Sequence, residues 1–302
     1  MVADKIFYNR ASADKLGWTP AWFDTDEFDD KLIEKIKVFQ RKYDLKVDGL
    51  VGPKTFGRVY THREAAHEML CDKLRNSAET PKNTIVCNGE LVEIGWDKVV
   101  SIRNLKALVL PEENYKKVAG DRIPQMIITH WDVCLSAKSC HRVLNKRGIS
   151  SHFVIDNDGT IYQMVDTQHV AWHAPPVNNI SIGIDLSNAF YTKYQRIYRK
   201  RGFGNRPVLE DSIVHGRKLP AHLGYYPAQI EAYKALLKTL CKHYDIPLQC
   251  PKDAAGLLWR TVFGDVTRKK FQGVACHYHV TKNKIDTAGL PLVEILEDIG
   301  NS

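Results

Sequence analysis

The chain contains no run of eighteen or more apolar residues, so nothing in it is long enough for a membrane-spanning helix. Its first residues, Met1-Val2-Ala3-Asp4-Lys5-Ile6-Phe7, lack the basic segment and apolar stretch of a secretory signal. Synthesis and release in a cytoplasm are therefore expected. No Cys-x-x-Cys pair is present to argue for a cysteine-held metal. The seven cysteines (Cys71, Cys87, Cys134, Cys140, Cys241, Cys250 and Cys276) are odd in number and scattered over 302 residues, which excludes a disulfide scaffold. Cys134 and Cys140 stand close enough to bridge in an oxidising space; otherwise they are two thiols flanking a helix start. Internal repeats and low-complexity tracts are absent. So is any recognised nucleic-acid reading motif, and no nucleic-acid partner is expected.

What is present fits about two domains by length, with an ordinary apolar fraction of 44%. The net charge of +8 suits an anionic partner. It is unevenly spread. Residues 191–218 hold Lys193, Arg196, Arg199, Lys200, Arg201, Arg206, Arg217 and Lys218 among Gly202, Gly204, Gly216 and Pro207. This reads as a long basic loop, either a solvated insertion or a polyanion surface.

Hydrophobic periodicity divides the chain. From Asp29 to Tyr43, Leu32, Ile33, Ile36, Phe39 and Gln40 recur at helical spacing. Asp48-Gly49 marks a turn, and Pro53 suits the first turn of a short helix over 54–60. Ser12 to Leu16 reads as another helix start, and 62–75 as a further helical stretch. Residues 1–70 thus form a small helical module, and 71–118 a connecting segment. Within it, strands flank the hairpin signal Asn88-Gly89, and 106–117 is ambiguous. From residue 119 the pattern is α/β. Strands are expected over 123–129, 152–155, 160–165 and 181–186, and helices over 139–147, 227–244 and 290–299. The fold class is α+β, a central mixed sheet flanked by helices behind an N-terminal three-helix module.

The N-terminal module resembles the peptidoglycan-binding domain of cell-wall hydrolases. The resemblance lies in Phe39-Gln40, Asp48-Gly49 and Gly52-Pro53-Lys54-Thr55. It implies wall-polymer binding at Phe39, Gln40, Asp48, Gly49, Gly52 and Thr55. The plainer reading is that Asp48, Gly49 and Gly52 shape a turn.

The chemistry-bearing fragments lie further on. His130 ends an apolar run, Ile127-Ile128-Thr129, where a strand can hold it rigidly. His277 and His279 are two apart, on one face if the segment is extended, and Asp286 follows. Two imidazoles and a carboxylate make a three-ligand zinc set that leaves one position open, the mark of a hydrolytic site. Residues 123–290 are similar to the zinc-dependent type-2 N-acetylmuramoyl-L-alanine amidases. The matching stretches are Ile127-Ile128-Thr129-His130, Ser151-His152-Phe153, Ala171-Trp172-His173-Ala174, Ser181-Ile182-Gly183-Ile184-Asp185-Leu186, and His277 with Lys284-x-Asp286.

The resemblance implies Zn2+ held by His130, His277 and Asp286, which selects His277 over His279. It implies an oxyanion-stabilising lysine at Lys284. Relatives carry a glutamate or a tyrosine as the base. Asp185 stands at the glutamate position and is the expected base, although shorter. Ser151 stands at the tyrosine position; it cannot act as a base unaided and is assigned to substrate binding. Trp172 and His173 are placed at the groove, Trp172 with a structural role and His173 as the contact. Cys134 and Cys140 stand where some related recognition proteins carry a short disulfide after the first ligand. The whole implies a monomeric peptidoglycan amidase of phage-endolysin type, reaching the wall after release by a separate pore-forming protein. The alternative is a non-catalytic peptidoglycan-recognition protein.

Overall fold

Asp29 opens the best-patterned helix of the N-terminal unit, its carboxylate accepting the Leu32 N–H at 2.8 Å. The computed structural model describes residues 2–66, 83–104 and 106–301 and divides into two units, Met1–Met69 and Leu70–Ser302. In the first, α1 (Val2–Leu16), α2 (Asp30–Lys42) and α3 (Pro53–Ala66) enclose a core that includes Leu16, Trp18, Phe23, Leu32, Ile36, Val51, Phe56 and Val59. Ser12 does not start a helix; it lies near the end of α1, and its hydroxyl donates to Val51 O at 2.6 Å. α3 continues past Tyr60 to Ala66, and the rest of the stretch expected to be helical up to 75 lies outside the described residues.

The residues expected to bind polymer mostly bind one another. The buried Gln40 amide donates to Asp48 Oδ1 (2.9 Å), Leu50 O (3.0 Å) and Thr55 Oγ1 (3.2 Å), and its oxygen accepts the Gly49 N–H (2.8 Å). Gly49 sits at φ 75°, and an added Cβ would meet Ile33 at 2.7 Å. Gln40, Asp48, Gly49 and Thr55 therefore form the internal knot of the α2–α3 turn. Gln40, Gly49 and Thr55 are buried there, while Asp48 is half-buried and also faces Lys46 at 3.5 Å.

In the second unit, β1 (Thr84–Cys87) and β2 (Glu90–Glu93) pair antiparallel around Asn88-Gly89, both at positive φ. Six further strands form the central sheet: β3 (Val99–Val100), β4 (Met126–Trp131), β5 (Phe153–Ile155), β6 (Ile161–Gln163), β7 (Ser181–Leu186) and β8 (Gly273–Cys276). Their order is β8-β4-β7-β5-β6-β3, and only β5–β6 is antiparallel. β4 and β7 are buried at every position, as parallel strands covered on both faces must be. α4 (Ala137–Arg147) follows β4, and Ile127 joins one apolar cluster with Tyr233, Leu236, Leu237 and Leu240 of α5 (Pro227–Tyr244) and Ile295 and Ile299 of α6 (Leu292–Gly300). Met126 and Ile128 face the other way, into a cluster with Val177, Val266 and Ala275. This is the two-residue alternation of a strand.

Several local expectations change. β4 begins at Met126 rather than Ile123, which is 77% exposed ahead of Pro124. Within 106–117, a single 3-10 turn (Glu112–Asn114) precedes Tyr115–Lys116, which pairs with Val170–Ala171. The basic segment is not a plain loop. It contains a short helix (Gln195–Lys200) and a hairpin (Ile213–Val214 with Arg217–Lys218). Its anchor is Arg206, fully buried between the rings of Tyr198 and Tyr226 at 4.5 and 4.4 Å. The guanidinium donates to Gly224 O (2.8 Å), Ser187 O (2.7 Å) and the Asn157 side chain.

Candidate metal centre and active site

The sheet brings the chemistry to the carboxyl ends of its parallel strands, where open α/β sheets place their sites. His130 and Asp185 are direct register partners on β4 and β7. Cys276 pairs with Thr129, so His277, the next residue, emerges level with His130. β8 stops at Cys276, and His277 to His279 form a 3-10 turn. The two histidines therefore do not share a strand face. His279 turns away, its Nε2 donating to Trp259 O (2.6 Å) and its Nδ1 accepting the Cys276 N–H (3.0 Å). His277 turns toward His130. The Tyr278 N–H donates to Asp286 O at 3.0 Å, bringing the later loop alongside.

Three atoms converge. His130 Nδ1 lies 2.8 Å from His277 Nδ1 and 3.2 Å from Asp286 Oδ2, and His277 Nδ1 lies 2.9 Å from the same oxygen. These are the three residues whose donor atoms group as a possible metal site among the described residues. All are buried. Two imidazole nitrogens facing each other beside a carboxylate oxygen repel unless a proton or a cation lies between them. Ligand atoms around a zinc at ~2.0–2.1 Å stand roughly 3.3 Å apart, so a spread of a few tenths of an ångström accommodates the ion. The electrostatics fit as well. Burial, with the His277 charge behind it, holds His130 below its ordinary range. Burial pushes Asp286 the other way, but His277, Lys284 and the imidazole hydrogen bonds hold its carboxyl well below the usual range.

His173 lies behind His130. Its Nδ1 is 2.9 Å from His130 Nε2 and its Nε2 is 3.2 Å from Ser181 Oγ. The ring fits because Gly183 has no side chain; a Cβ there would meet His173 at 2.8 Å and Ser151 Oγ at 2.9 Å. His173, half-buried, is thus bonded to a candidate ligand. Ser151 is fully buried beside the Asp185 carboxylate, and its hydroxyl donates to Phe153 O at 3.4 Å. Trp172, placed at the groove with a structural role, is 38% exposed. Burial pushes the Asp185 carboxyl above its usual range against the pull of His130. Lys284 is half-buried, and its charge acts on both Asp185 and Asp286. Cys134 and Cys140 are buried free thiols.

Two further groups escaped the sequence reading. Asp132 accepts from Cys134 N (2.8 Å), Asn188 N (2.9 Å) and Ser187 Oγ (2.9 Å), and burial beside Asp185 pushes it up to about 8. Its signal was the position two residues after His130. Arg122 is buried and donates to Thr167 O (2.8 Å), Asn178 O (3.0 Å), Asn179 O (3.3 Å) and Ser181 O. Nothing local marks it, because its partners lie 30 to 59 residues away.

The family model for N-acetylmuramoyl-L-alanine amidase matches residues 120–287, more than half of the chain. The model for a peptidoglycan binding domain matches residues 15–59. Comparison with curated proteins finds no match. Among solved structures, the endolysin amidase LysCS from Clostridium intestinale URNW is 20% identical, covering 64% of this chain and 94% of that one at a TM-score of 0.38. AmpDh3 from Pseudomonas aeruginosa in complex with anhydromuramic pentapeptide is 19% identical, with 64% and 66% covered and a TM-score of 0.39. AmiD from E. coli is 24% identical, with 46% and 53% covered and a TM-score of 0.30. These scores are low, and family membership rests on the domain match alone.

Proposed function

The chain belongs to the N-acetylmuramoyl-L-alanine amidase family, and we propose that it is a zinc-dependent peptidoglycan hydrolase cutting the amide between N-acetylmuramic acid and L-alanine. The observation that carries this reading is the convergence of His130 Nδ1, His277 Nδ1 and Asp286 Oδ2 on one buried point. These residues would hold the ion, which when bound supplies Lewis acidity for water and for the scissile carbonyl.

The remaining roles belong to the chain itself. His173 fixes the ring of His130 through its Nε2, setting which nitrogen faces the metal. Asp185, across the register from His130, takes the proton of the attacking water. Its raised affinity for protons suits that task, and Ser151 orients it. The Lys284 ammonium offsets the charge that develops on the carbonyl oxygen. The exposed Trp172 offers an apolar face for sugar or peptide. The N-terminal unit tethers the enzyme to insoluble polymer. A wall-binding module beside an amidase domain suits a phage endolysin that acts on the wall after release, as a monomer.

Mass analysis of fragments released from purified peptidoglycan tests the reading. Free stem peptides without sugar are expected, abolished by chelator, restored by zinc and absent for Asp286→Ala. Stoichiometric zinc without released peptide would refute the enzyme and favour a non-catalytic recognition protein.

A further inference from the structure

We infer that His215, at the tip of the hairpin in the basic segment, is a positioning residue for Lys284. The inference rests on the amidase reading above for the role of that lysine. The hairpin strands Ile213–Val214 and Arg217–Lys218 are joined by His215 and Gly216, at φ 55° and 71°. Both residues of such a turn need positive φ, where asparagine and glycine are the usual choices. Histidine is tolerated there, and its side chain is used in full.

The His215 N–H donates to Arg260 O at 2.8 Å. Its ring spans two segments, with Nδ1 3.0 Å from Thr261 Oγ1 and Nε2 2.8 Å from the backbone oxygen of Lys284. A carbonyl only accepts, so Nε2 carries the proton and Nδ1 accepts the Thr261 hydroxyl. The ring also stands edge-on to Tyr278, the residue after His277, at 6.3 Å. The Lys284 N–H makes a long local bond to Thr281 O at 3.3 Å, so the bond from His215 is the shorter of these two backbone ties. The tip of the basic segment thereby braces the loop from which the Lys284 charge acts on Asp185 and Asp286. Positioning of this kind matters because small displacements of a charged donor weaken its grip on a transition state.

Two variants of the full-length, zinc-loaded protein separate the contacts. His215→Asn suits the left-handed turn and keeps an acceptor near Thr261, but it cannot reach Lys284 O. His215→Gln places an amide N–H near the original Nε2. For His215→Asn, kcat on soluble muropeptide should fall about tenfold, with KM and zinc content within about twofold of the parent. His215→Gln should recover most of the loss. In a Lys284→Met background, His215→Asn should add nothing, since both act through one group. Hydrogen exchange over residues 281–286 should quicken in His215→Asn and slow again in His215→Gln, whether or not the protein turns over substrate. Unchanged exchange in His215→Asn overturns the inference, as does an equal loss in both lysine backgrounds. Absence of stem-peptide release by the parent protein overturns the amidase reading instead, and exchange still decides the bracing.

Discussion

A histidine buried beside an arginine makes stability depend on pH in a measurable direction. His152 is fully buried, its Nδ1 accepting the Gly183 N–H at 3.0 Å and its Nε2 donating to His169 O at 3.0 Å. Burial, with the Arg122 charge behind it, pushes it down to about 3. An unfolded histidine titrates near ~6.5. Between those values the unfolded chain binds a proton that the fold does not. Unfolding free energy must therefore fall as pH drops through this window, by up to about 1.4 kcal/mol per unit for this one group. Urea unfolding from pH 7.5 to 4.5, in one metal state, should show His152→Gln less stable at neutral pH yet shallower in its pH slope. Parallel slopes would refute the assignment. At the neighbouring site, Asp185→Asn keeps the size of the side chain and removes its basicity. It should retain zinc and lose about 10²- to 10⁴-fold in kcat, as expected for removing a general base. Retained turnover would move the base elsewhere, with Asp132 the next carboxylate to test.

At the scale of elements, agreement between sequence and structure follows the reach of the interactions. β7 and α5 lie where their patterns place them, over 181–186 and 227–244. One is an unbroken buried run; the other starts at Pro227 and carries an apolar stripe. Those signals are local. Ser12 looked like a cap because serine before an apolar residue often is one, but its hydroxyl serves Val51, 39 residues away. The His277/His279 pairing failed because a period of two holds only while the chain is extended, and β8 ends one residue earlier. The bond from His173 to His130 crosses 43 residues and depends on the space above Gly183, which no spacing rule encodes. The α2–α3 turn gives the measurable case. Gln40→Ala would strand the buried Gly49 N–H and remove the donor to Leu50 O and Thr55. A loss of about 2–3 kcal/mol from the N-terminal unit is expected. Faster hydrogen exchange across α2 and α3, with the second unit unchanged, is the outcome to look for. A purely polymer-binding glutamine would leave exchange untouched.

For the whole molecule, the sequence carries two kinds of periodicity, helical before residue 70 and α/β after 119, while the hairpin of the segment expected to connect them packs through Ile85 and Cys87 into the core of the second unit. The three converging donor atoms were also visible as residue types, since His130, His277 and Asp286 sit at strand ends or in a short loop that motif spacing preserves. What connects the basic segment to the site was not visible, because Arg206 and His215 act through carbonyls that every residue possesses. The division into units predicts a division of labour. Tethering raises the local concentration of enzyme on an insoluble polymer but adds nothing to the chemistry at the sheet. Removing residues 1–69 should therefore leave kcat/KM on soluble muropeptide within about twofold of the parent, while clearing of wall suspensions slows by about tenfold or more. Because the tether contributes by raising occupancy, the deficit should shrink as enzyme concentration rises toward saturation of the wall. A deficit that persists at saturation, or appears equally on the soluble substrate, would mean that the N-terminal unit acts on the catalytic site and not on the polymer.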